Sequence, residues 1–256
     1  MSAEAVRVYK LGGPALEDPL LVPPLAREVG AFAGRVVIVH GGGRHVERLL
    51  QALSIESRFV GGRRETSPAA MEVVEMVLSG AVNKALASAL TRAGVPAVGV
   101  SGRDGGLVAA RLEPGLGRVG VPLSVEPGLL QALWDSGFVP VVSPVADGPS
   151  GEATNVNADE AALGLARALG AGSLIYLSDV DGVRVQGRDA ARLSSADAER
   201  FIGDGSIAGG MVIKVRAALE AARGGIAEVV IAGKARLTGG FPGTRLEAEA
   251  RAEVGA

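Results

Sequence analysis

The chain has 256 residues, which is enough to bury a large core in one α/β unit or in two fused lobes. Hydrophobic residues make up 48% and charged residues 21%, which excludes an intrinsically disordered chain. The formal net charge is −2, with 26 basic and 28 acidic residues spread along the sequence. We therefore expect neither a nucleic acid nor an anionic membrane as partner, and a small molecule instead.

Residue types that carry redox or metal chemistry are scarce. Cysteine is absent and the two histidines are His40 and His45, which excludes disulfides, thiol nucleophiles and the common structural zinc sites. Residues 1–5 show no leader pattern, and no uninterrupted apolar run approaches the roughly 20 residues that span a bilayer. We expect a cytoplasmic protein.

Short apolar runs rich in β-branched residues alternate with longer helical patterns. Strands are predicted over 6–12, 35–41, 96–102, 138–145, 173–180 and 228–233, and helices over 16–32, 44–53, 68–91, 127–136, 157–170 and 209–223. This βαβ alternation predicts an α/β fold with an open, mainly parallel sheet covered on both faces. Ligands of such sheets bind at the carboxyl ends of the strands.

Two further segments define the organisation. The stretch 106–125 alternates apolar and polar residues around a Pro-Gly pair, which predicts an antiparallel hairpin or flap. A division near residue 171 would give an N-terminal lobe over 1–170 and a C-terminal lobe over 171–256.

Three predicted strands end in clusters of glycine and polar residues. These clusters are Lys10-Leu11-Gly12-Gly13, His40-Gly41-Gly42-Gly43 and Ser101-Gly102-Arg103-Asp104-Gly105-Gly106. Successive glycines can turn backbone N–H groups toward a phosphate or carboxylate, and a following helix N-terminus adds favourable partial charge. A single cluster is as well explained by a tight turn, but three clusters after three strands favour an anion site.

Polar residues at other strand and helix ends are candidates for the same site. Lys10 ends the first strand, and Lys214 lies in the first turns of a helix that follows Gly209-Gly210, where acidic residues are the usual choice. The segment Thr154–Glu160 precedes a helix, so one of its residues is expected to be an N-cap. Ser178–Gly182 ends another strand and is equally compatible with an ordinary Asp-Gly turn.

The motifs of the large nucleotide-binding classes are absent. The sequence contains no G-x-x-x-x-G-K-[ST] P-loop, no protein-kinase H-R-D and D-F-G set, and no G-x-G-x-x-G after the first strand. A phosphotransferase with this sequence therefore belongs to another class.

Seven motifs taken together carry a resemblance. They are KLGG at 10–13, HGGG at 40–43, G-x-R-x-T at 62–66, MEVVEMVLSGAVNK at 71–84, TNVNAD at 154–159, LSDVDGV at 177–183 and GGMVIKV at 209–215. In this order, from about residue 6 to about residue 245, they resemble the acetylglutamate kinases of the amino-acid kinase family. The resemblance implies an αβα sandwich around a mainly parallel eight-stranded sheet, with the acyl substrate in the N-terminal lobe and ATP in the C-terminal lobe.

The resemblance also implies residue roles. Lys10 and Lys214 would stabilise the transferring phosphoryl group and Asp159 would orient both lysines. Arg64 and Asn155, with the backbone of Gly41 and Gly42, would hold N-acetyl-L-glutamate. ATP, carrying Mg²⁺ on its phosphates rather than on a protein metal site, would contact Gly12, Gly13, Asp179, Val180, Asp181, Gly182, Val183, Arg184, Gly209, Gly210 and Met211.

Physical chemistry agrees with a carboxyl acceptor. A glutamate side chain has a reference pKa of about 4.3, so the nucleophile is already ionised near pH 7 and needs no histidine base. In-line phosphoryl transfer needs positioning and positive charge, which two lysines and glycine N–H groups can supply. An arginine such as Arg64 suits a bidentate clamp on a carboxylate.

Alternatives remain open at this point. Arg63 lies beside Arg64 and Glu65 stands where the family usually has an apolar residue, so a carrier-protein-linked aminoadipate or glutamate kinase is a second hypothesis. A catalytically silent amino-acid or nucleotide sensor on the same fold is a third, although two phosphate-directed lysines disfavour it. The arginine-inhibited members of the resembled family form hexamers through an N-terminal helix that precedes the first strand. Only about five residues precede the first strand here, so we expect a homodimer that is insensitive to arginine.

Overall fold

The computed structural model describes residues 5–248. The helices are α1 Gly13–Leu16, α2 Val22–Ala31, α3 Gly43–Ala52, α4 Pro68–Glu75, α5 Asn83–Arg92, α6 Gly128–Asp135, α7 Ala158–Ala168, α8 Ser195–Gly203, α9 Gly210–Arg223 and α10 Lys234–Leu237, with a π-helical segment Met76–Val82 and a 3₁₀ turn Asp104–Gly106. The strands are β1 Val6–Leu11, β2 Arg35–His40, β3 Phe59–Val60, β4 Arg63–Arg64, β5 Ala97–Ser101, β6 Val108–Leu112, β7 Val119–Val125, β8 Val139–Ser143, β9 Val145–Asp147, β10 Ala153–Val156, β11 Ser173–Leu177, β12 Arg184–Val185, β13 Arg188–Asp189, β14 Arg192–Ser194, β15 Glu228–Ala232 and β16 Thr244–Glu247.

The centre of the molecule is an eight-stranded sheet in the order β14-β16-β15-β11-β1-β2-β8-β5. The six strands from β15 to β5 are parallel, and they are the six that the sequence predicted. At the other end β16 runs antiparallel to β15, and β14 pairs with β16 in parallel. The prediction of a mainly parallel eight-stranded sheet is confirmed.

Helices cover both faces of this sheet, as an αβα sandwich requires. On one face Val8, Val39 and Tyr176 pack with residues of α7 and α9. On the other face Tyr9, Ile38 and Ile175 pack with residues of α2 and α5. Successive strand residues thus enter opposite cores, which explains the uninterrupted apolar runs in the sequence.

The hairpin predicted over 106–125 is the antiparallel pair β6 and β7. These strands combine with β9 and β10 into a small closed four-stranded barrel beside the main sheet. The barrel brings β10 and the following helix α7 to the carboxyl end of the parallel strands. Strands β9 and β10 were missed because both are short, at three and four residues.

Two helix predictions need correction. The segment 16–32 is not one helix, because α1 ends at Leu16 and α2 begins at Val22 after a turn. The segment 68–91 is helical throughout, but its middle widens into the π-helical turn at Met76–Val82. Helix α8 and strands β14 and β16 lie in segments for which no element was predicted.

The helix over Pro68–Arg92 is long and apolar enough to cross a membrane by length and composition, and half of its most apolar window is buried inside the protein. Its residues Ala70, Val73 and Val74 are buried against Val46 and Leu50 of α3. This packing accounts for the apolar residues on that side of the helix.

The predicted division near residue 171 falls between α7 and β11. The central sheet is continuous across it, since β11 pairs with β1 on one side and β15 on the other. Strand β16 ends at Glu247, and residues 249–256 lie outside the described residues, as do residues 1–4 of the segment that shows no leader pattern.

Candidate functional site

A cavity of about 220 Å³ lies at the carboxyl end of β1 and β2. It is bounded by the β3–β4 hairpin, β10 and the N-terminus of α7, where sheets of this class bind ligands. Seven of the residues predicted for the site line it: Lys10, Gly13, Gly41, Gly42, Arg64, Asn155 and Asp159.

Lys10 and Asp159 form a buried ion pair on the wall of this cavity. Lys10 Nζ lies 2.7 Å from Asp159 Oδ1, and their side chains are only 7% and 13% exposed. Lys10 comes from the end of β1, and Asp159 from the first turn of α7. A buried charge is expensive unless it is paired, so each group depends on the other.

Lys214 completes a three-charge cluster. It lies near the start of α9, and burial followed by the charge of Lys10 lowers its pKa, while Asp159 and Asp179 oppose that shift. Burial would raise the pKa of Asp159, but the charges of Lys10 and Lys214 and the hydrogen bond from Lys10 outweigh it and hold the pKa below its usual range. The carboxylate is therefore ionised between two cations.

The N-terminus of α7 is fixed by the residue before it. Asn157 is the N-cap, and its Oδ1 accepts from the N–H groups of Asp159 at 2.8 Å and Glu160 at 3.4 Å. An N-cap in the segment 154–160 was expected from the sequence. The cap fixes the backbone that carries Asp159.

The guanidinium of Arg64 is held on several sides. Its Nη1 donates to Glu47 and Ser57, its Nη2 donates to the Gly43 carbonyl at 3.1 Å, and its plane lies 4.6 Å from the centre of the Phe59 ring. Arginine carries five N–H donors. Within residues 5–248 nothing accepts from its Nε–H, which leaves that donor and one hydrogen of Nη2 for a ligand.

Arg63, the unusual neighbour of Arg64, is occupied by acids of this chain. It forms ion pairs with Glu160 of α7 and, at 3.4 Å, with Glu113 beyond β6. Its charge is thereby compensated within the protein. Arg63 is then a poor attractor for an acidic carrier protein, which was the basis of the carrier-linked hypothesis.

Asn155 is oriented by the threonine of the G-x-R-x-T motif. Its Nδ2 donates to Thr66 Oγ1 at 3.0 Å, and that hydroxyl donates to the Arg64 carbonyl at 2.7 Å. Thr66 is fully buried. The two predicted substrate residues, Arg64 and Asn155, are thus linked by a residue of the same motif.

Some of the predicted site glycines use their backbone N–H in hydrogen bonds within the protein, and others leave it available for a ligand. The N–H of Gly41 donates to Leu11 and that of Gly12 to Leu177, at 2.9 and 2.8 Å, so neither is available for a ligand. The N–H of Gly42 makes no hydrogen bond within the described residues, and Gly42 and Gly13 both line the cavity. The backbone donors predicted at the HGGG turn thus reduce to Gly42 and its successors.

The third glycine cluster, Ser101–Gly106, does not reach this cavity. Its Arg103 joins Glu75, Asp147 and the Gly151 carbonyl, at 2.6, 2.8 and 3.2 Å. These bonds attach the small barrel to α4. The anion-site interpretation of this cluster is not supported.

The residues predicted for ATP fall into two groups. Asp179 and Asp181 follow β11 and line a second cavity, of about 470 Å³, with Lys234 and Asp18, whose charged ends are 2.6 Å apart. Gly209, Gly210 and Met211 lead into α9, and Gly209 has φ of 59°.

Four other residues predicted to contact ATP, Val180, Gly182, Val183 and Arg184, are packed against other parts of the protein or exposed to solvent. Val183 is fully buried and its N–H donates to Thr244 Oγ1 at 2.7 Å. A Cβ at Gly182 would lie 2.8 Å from Phe241 and Thr244 atoms, so glycine is required there by packing. Val180 and Arg184 are exposed, and Arg184 lies 3.6 Å from Asp189.

The profile of the amino acid kinase family matches residues 5–233. The chain belongs to the amino acid kinase family. It is similar to the acetylglutamate kinase of Rubrobacter xylanophilus, at 49% identity over 94% of this chain and 97% of that protein, and to that of Roseiflexus sp., at 45% identity over 86% and 85%. Among solved structures, smu.665 of Streptococcus mutans UA159 aligns with a TM-score of 0.84 at 25% identity, over 94% of this chain and 98% of that one.

Sequence reasoning missed several residues of this amino acid kinase that shape the cavity. Glu47, Ser57 and Phe59 hold Arg64, and Glu113 and Glu160 hold Arg63. A surface glutamate carries no local signal of such a role. The adjacent arginines Arg63 and Arg64 were the available hint, because arginines that are buried or partly buried require acidic partners.

His40, the fully buried last residue of β2, allows the burial beside the glycine turn to be tested through its protonation. Burial lowers its pKa to about 4, with smaller contributions from His45 and Lys84, against about 6.5 for an unfolded imidazole. The unfolded chain therefore binds a proton between these values and the folded chain does not. Because the proton binds to the unfolded chain, the free energy of unfolding should fall by about 2 kcal/mol through His40 when the pH falls from about 7 to about 5.

Urea unfolding of the wild type and of His40→Asn at these two pH values measures this loss. The wild type should lose about 2 kcal/mol more than the variant on acidification. An equal loss in both proteins would show that His40 does not titrate in this way.

Proposed function

We propose that this chain transfers the γ-phosphoryl group of ATP to the γ-carboxylate of N-acetyl-L-glutamate, which forms N-acetyl-L-glutamyl 5-phosphate in the second step of arginine biosynthesis. The observation that carries the proposal is the Lys10–Asp159–Lys214 cluster beside a small cavity with open arginine donors. The names of the relatives at 49% and 45% identity support the same substrate.

The acyl substrate would lie in the 220 Å³ cavity. Arg64 would bind its α-carboxylate with the Nε–H and the remaining Nη2 hydrogen, a bidentate geometry that suits a carboxylate. Asn155 and the Gly42 N–H would hold the rest of the molecule. This arrangement directs the side-chain carboxylate toward Lys10.

Transfer then needs no base from the protein. A carboxylate oxygen of the substrate attacks the γ-phosphorus, the bond from that phosphorus to the β–γ bridging oxygen breaks, and ADP leaves with the electron pair. Lys10 and Lys214 would stabilise the charge on the transferring group, and Asp159 would keep both ammonium groups in place. Lys10 and Asp159 are already paired before the nucleotide binds.

ATP would bind on the C-terminal side of the fold, with Asp179–Arg184 and Gly209–Met211 around it and Gly12 and Gly13 near its phosphates. Among the described residues there is no group of three or more His, Cys, Asp or Glu side chains that could hold a metal ion. In this proposal Mg²⁺ enters as part of the nucleotide substrate. On this basis residues 1–170 bind the acyl substrate and residues 171–256 bind the nucleotide.

Two alternatives are less well supported. A carrier-linked substrate would need an exposed basic surface at the cavity, whereas Arg63 and Arg64 are paired with Glu160, Glu113 and Glu47. A silent sensor would have no use for a buried carboxylate that holds two lysines in place.

The proposal includes a cytoplasmic homodimer. An apolar groove of about 810 Å³ lies between α2 and α5, with Val22, Val82, Ala85, Leu86 and Ala89 on its walls. Such a groove supports self-association through the N-terminal part of the fold.

Lys214→Ala tests the role of the second lysine. Because that charge acts mainly in the transition state, kcat should fall by about a hundredfold or more while both KM values change little. Steady-state kinetics with N-acetyl-L-glutamate and ATP measure this. Arg216→Ala is the matched control, since Arg216 lies on the same helix and pairs with exposed Glu199 at 3.2 Å; unchanged kcat in the Lys214 variant would remove that lysine from the mechanism.

Arg64→Lys tests the carboxylate clamp. Lysine keeps the charge but cannot form the bidentate contact, so KM for N-acetyl-L-glutamate should rise about tenfold or more with KM for ATP unchanged. Arg58→Lys, which alters an exposed arginine paired with Glu65, is the control. A selective rise of KM for ATP would move Arg64 to the nucleotide side.

A further inference from the structure

His40 ends β2 immediately before the glycine turn of the cavity, yet its imidazole is completely buried and does not line that cavity. Its side chain lies on the sheet face that carries α5. The proposed reaction uses neither histidine as an acid or base. A buried polar ring at this position therefore needs another explanation.

The partner of His40 is Asn83, the first residue of α5. Asn83 is fully buried, and its Nδ2 lies 3.1 Å from His40 Nε2, 2.8 Å from the Val141 carbonyl and 3.2 Å from the Val100 carbonyl. The carbonyls can only accept, so the amide nitrogen faces this group. A Cβ at Gly99 would lie 2.1 Å from Asn83 Oδ1, and glycine there makes room for the side chain.

These contacts determine which nitrogen of His40 carries the proton. His40 Nδ1 lies 2.7 Å from the Gly41 carbonyl oxygen, which can only accept, so Nδ1 is the donor. The two hydrogens of Asn83 Nδ2 are shared among the Val141 carbonyl, the Val100 carbonyl and His40 Nε2, so Nε2 faces donors and is an acceptor. Burial, which lowers the pKa of His40 to about 4, keeps the ring neutral near pH 7.

The bond to Gly41 has a consequence on the other side of the peptide. In a trans peptide the C=O of Gly41 and the N–H of Gly42 point in opposite directions. His40 holds that carbonyl toward the interior, so the Gly42 N–H points away from the interior and toward the cavity that Gly42 lines. Leu11 holds the Gly41 N–H at 2.9 Å, which fixes the preceding peptide as well.

The π-helical segment adjoins the same turn. Gly42 has φ of 146°, and a Cβ there would lie 2.8 Å from Leu78 Cδ2 of this segment. Ser79, one turn before Asn83, places its hydroxyl 2.8 Å from that of Ser143 at the end of β8. π-helical turns occur frequently at functional sites, and this one packs against the glycine turn next to Asn83.

We propose that His40 and Asn83 are positioning residues: Asn83 holds neutral His40, whose Nδ1–H fixes the Gly41 carbonyl and thereby aims the Gly42 N–H at the acyl substrate. This inference rests on the proposed function for the identity of the substrate. The chain of contacts itself does not depend on which carboxylate is bound.

The first test reads the tautomer of His40 in the unmodified protein. The sequence has two histidines, so a long-range ¹H–¹⁵N correlation spectrum of the ¹⁵N-labelled chain at pH 7 resolves both rings, and His45→Leu assigns them. We expect His40 to be neutral with its proton on Nδ1. A proton on Nε2, or a charged ring, would overturn the inference whether or not the chain phosphorylates N-acetyl-L-glutamate.

The second test is kinetic. His40→Leu removes the donor, and kcat/KM for N-acetyl-L-glutamate should fall about tenfold or more while KM for ATP stays within about twofold. His40→Asn restores an N–H near the position of Nδ1 and should return kcat/KM to within about threefold of the wild type. His45→Leu, in the other histidine, should leave all constants unchanged.

The outcomes separate the two claims. Wild-type kcat/KM in His40→Leu, from an active wild-type enzyme, would contradict the positioning role alone. An inactive wild type would contradict the proposed function, while the tautomer still tests the contacts. If His40→Leu does not fold, failure of folded His40→Asn to retain activity would overturn the role of the donor.

Discussion

The ion pair of Lys10 and Asp159, to which Lys214 is electrostatically coupled, constrains the rest of the structure. Lys10 Nζ lies 2.7 Å from Asp159 Oδ1 with both side chains largely shielded from solvent, and the charges of both Lys10 and Lys214 lower the pKa of Asp159. Removing charges from water is costly, and a net positive cluster of this kind is tolerated where an anion is to be bound. The parallel sheet brings the end of β1, the start of α7 and the start of α9 to one edge, which is the condition for the cluster to form.

The arginines at the 220 Å³ cavity are compensated by protein groups in the same way. Arg64 has Glu47, Ser57, the Gly43 carbonyl and the Phe59 ring around it, and Arg63 has two glutamates. Because these side chains are held before a ligand arrives, little rotamer freedom is left to lose on binding. On the proposed function, the remaining donors rather than the bare charges would select a planar carboxylate.

Much of the fold followed from periodicity. The six parallel strands, the β6–β7 hairpin and most helices were predicted, because buried strands and amphipathic helices leave a local pattern. The edge strand β14 and its neighbour β16 left none, since they are three and four residues long and include exposed arginines. The break between α1 and α2 was missed because the apolar spacing continues across the turn.

The site was predictable only in part for a different reason. Lys10, Asp159 and Arg64 stand in motifs, and the structure brings them to one cavity. The motifs do not show which residues pair: Thr66 meets Asn155 across 89 residues, and Arg63 meets Glu160, which follows the TNVNAD motif, across 97. Contacts of that kind depend on tertiary packing, and so does the burial that makes His40 neutral.

The most direct measurement is ATP-dependent acyl phosphate formation by the unmodified enzyme, trapped as hydroxamate, with N-acetyl-L-glutamate beside glutamate, aspartate and aminoadipate. The account predicts hydroxamate with N-acetyl-L-glutamate and none above background with the three free amino acids. Product from a free amino acid in preference to N-acetyl-L-glutamate would contradict the assigned acyl substrate. No product from any of the four would contradict the account as a whole and would favour a carrier-linked substrate or a sensor.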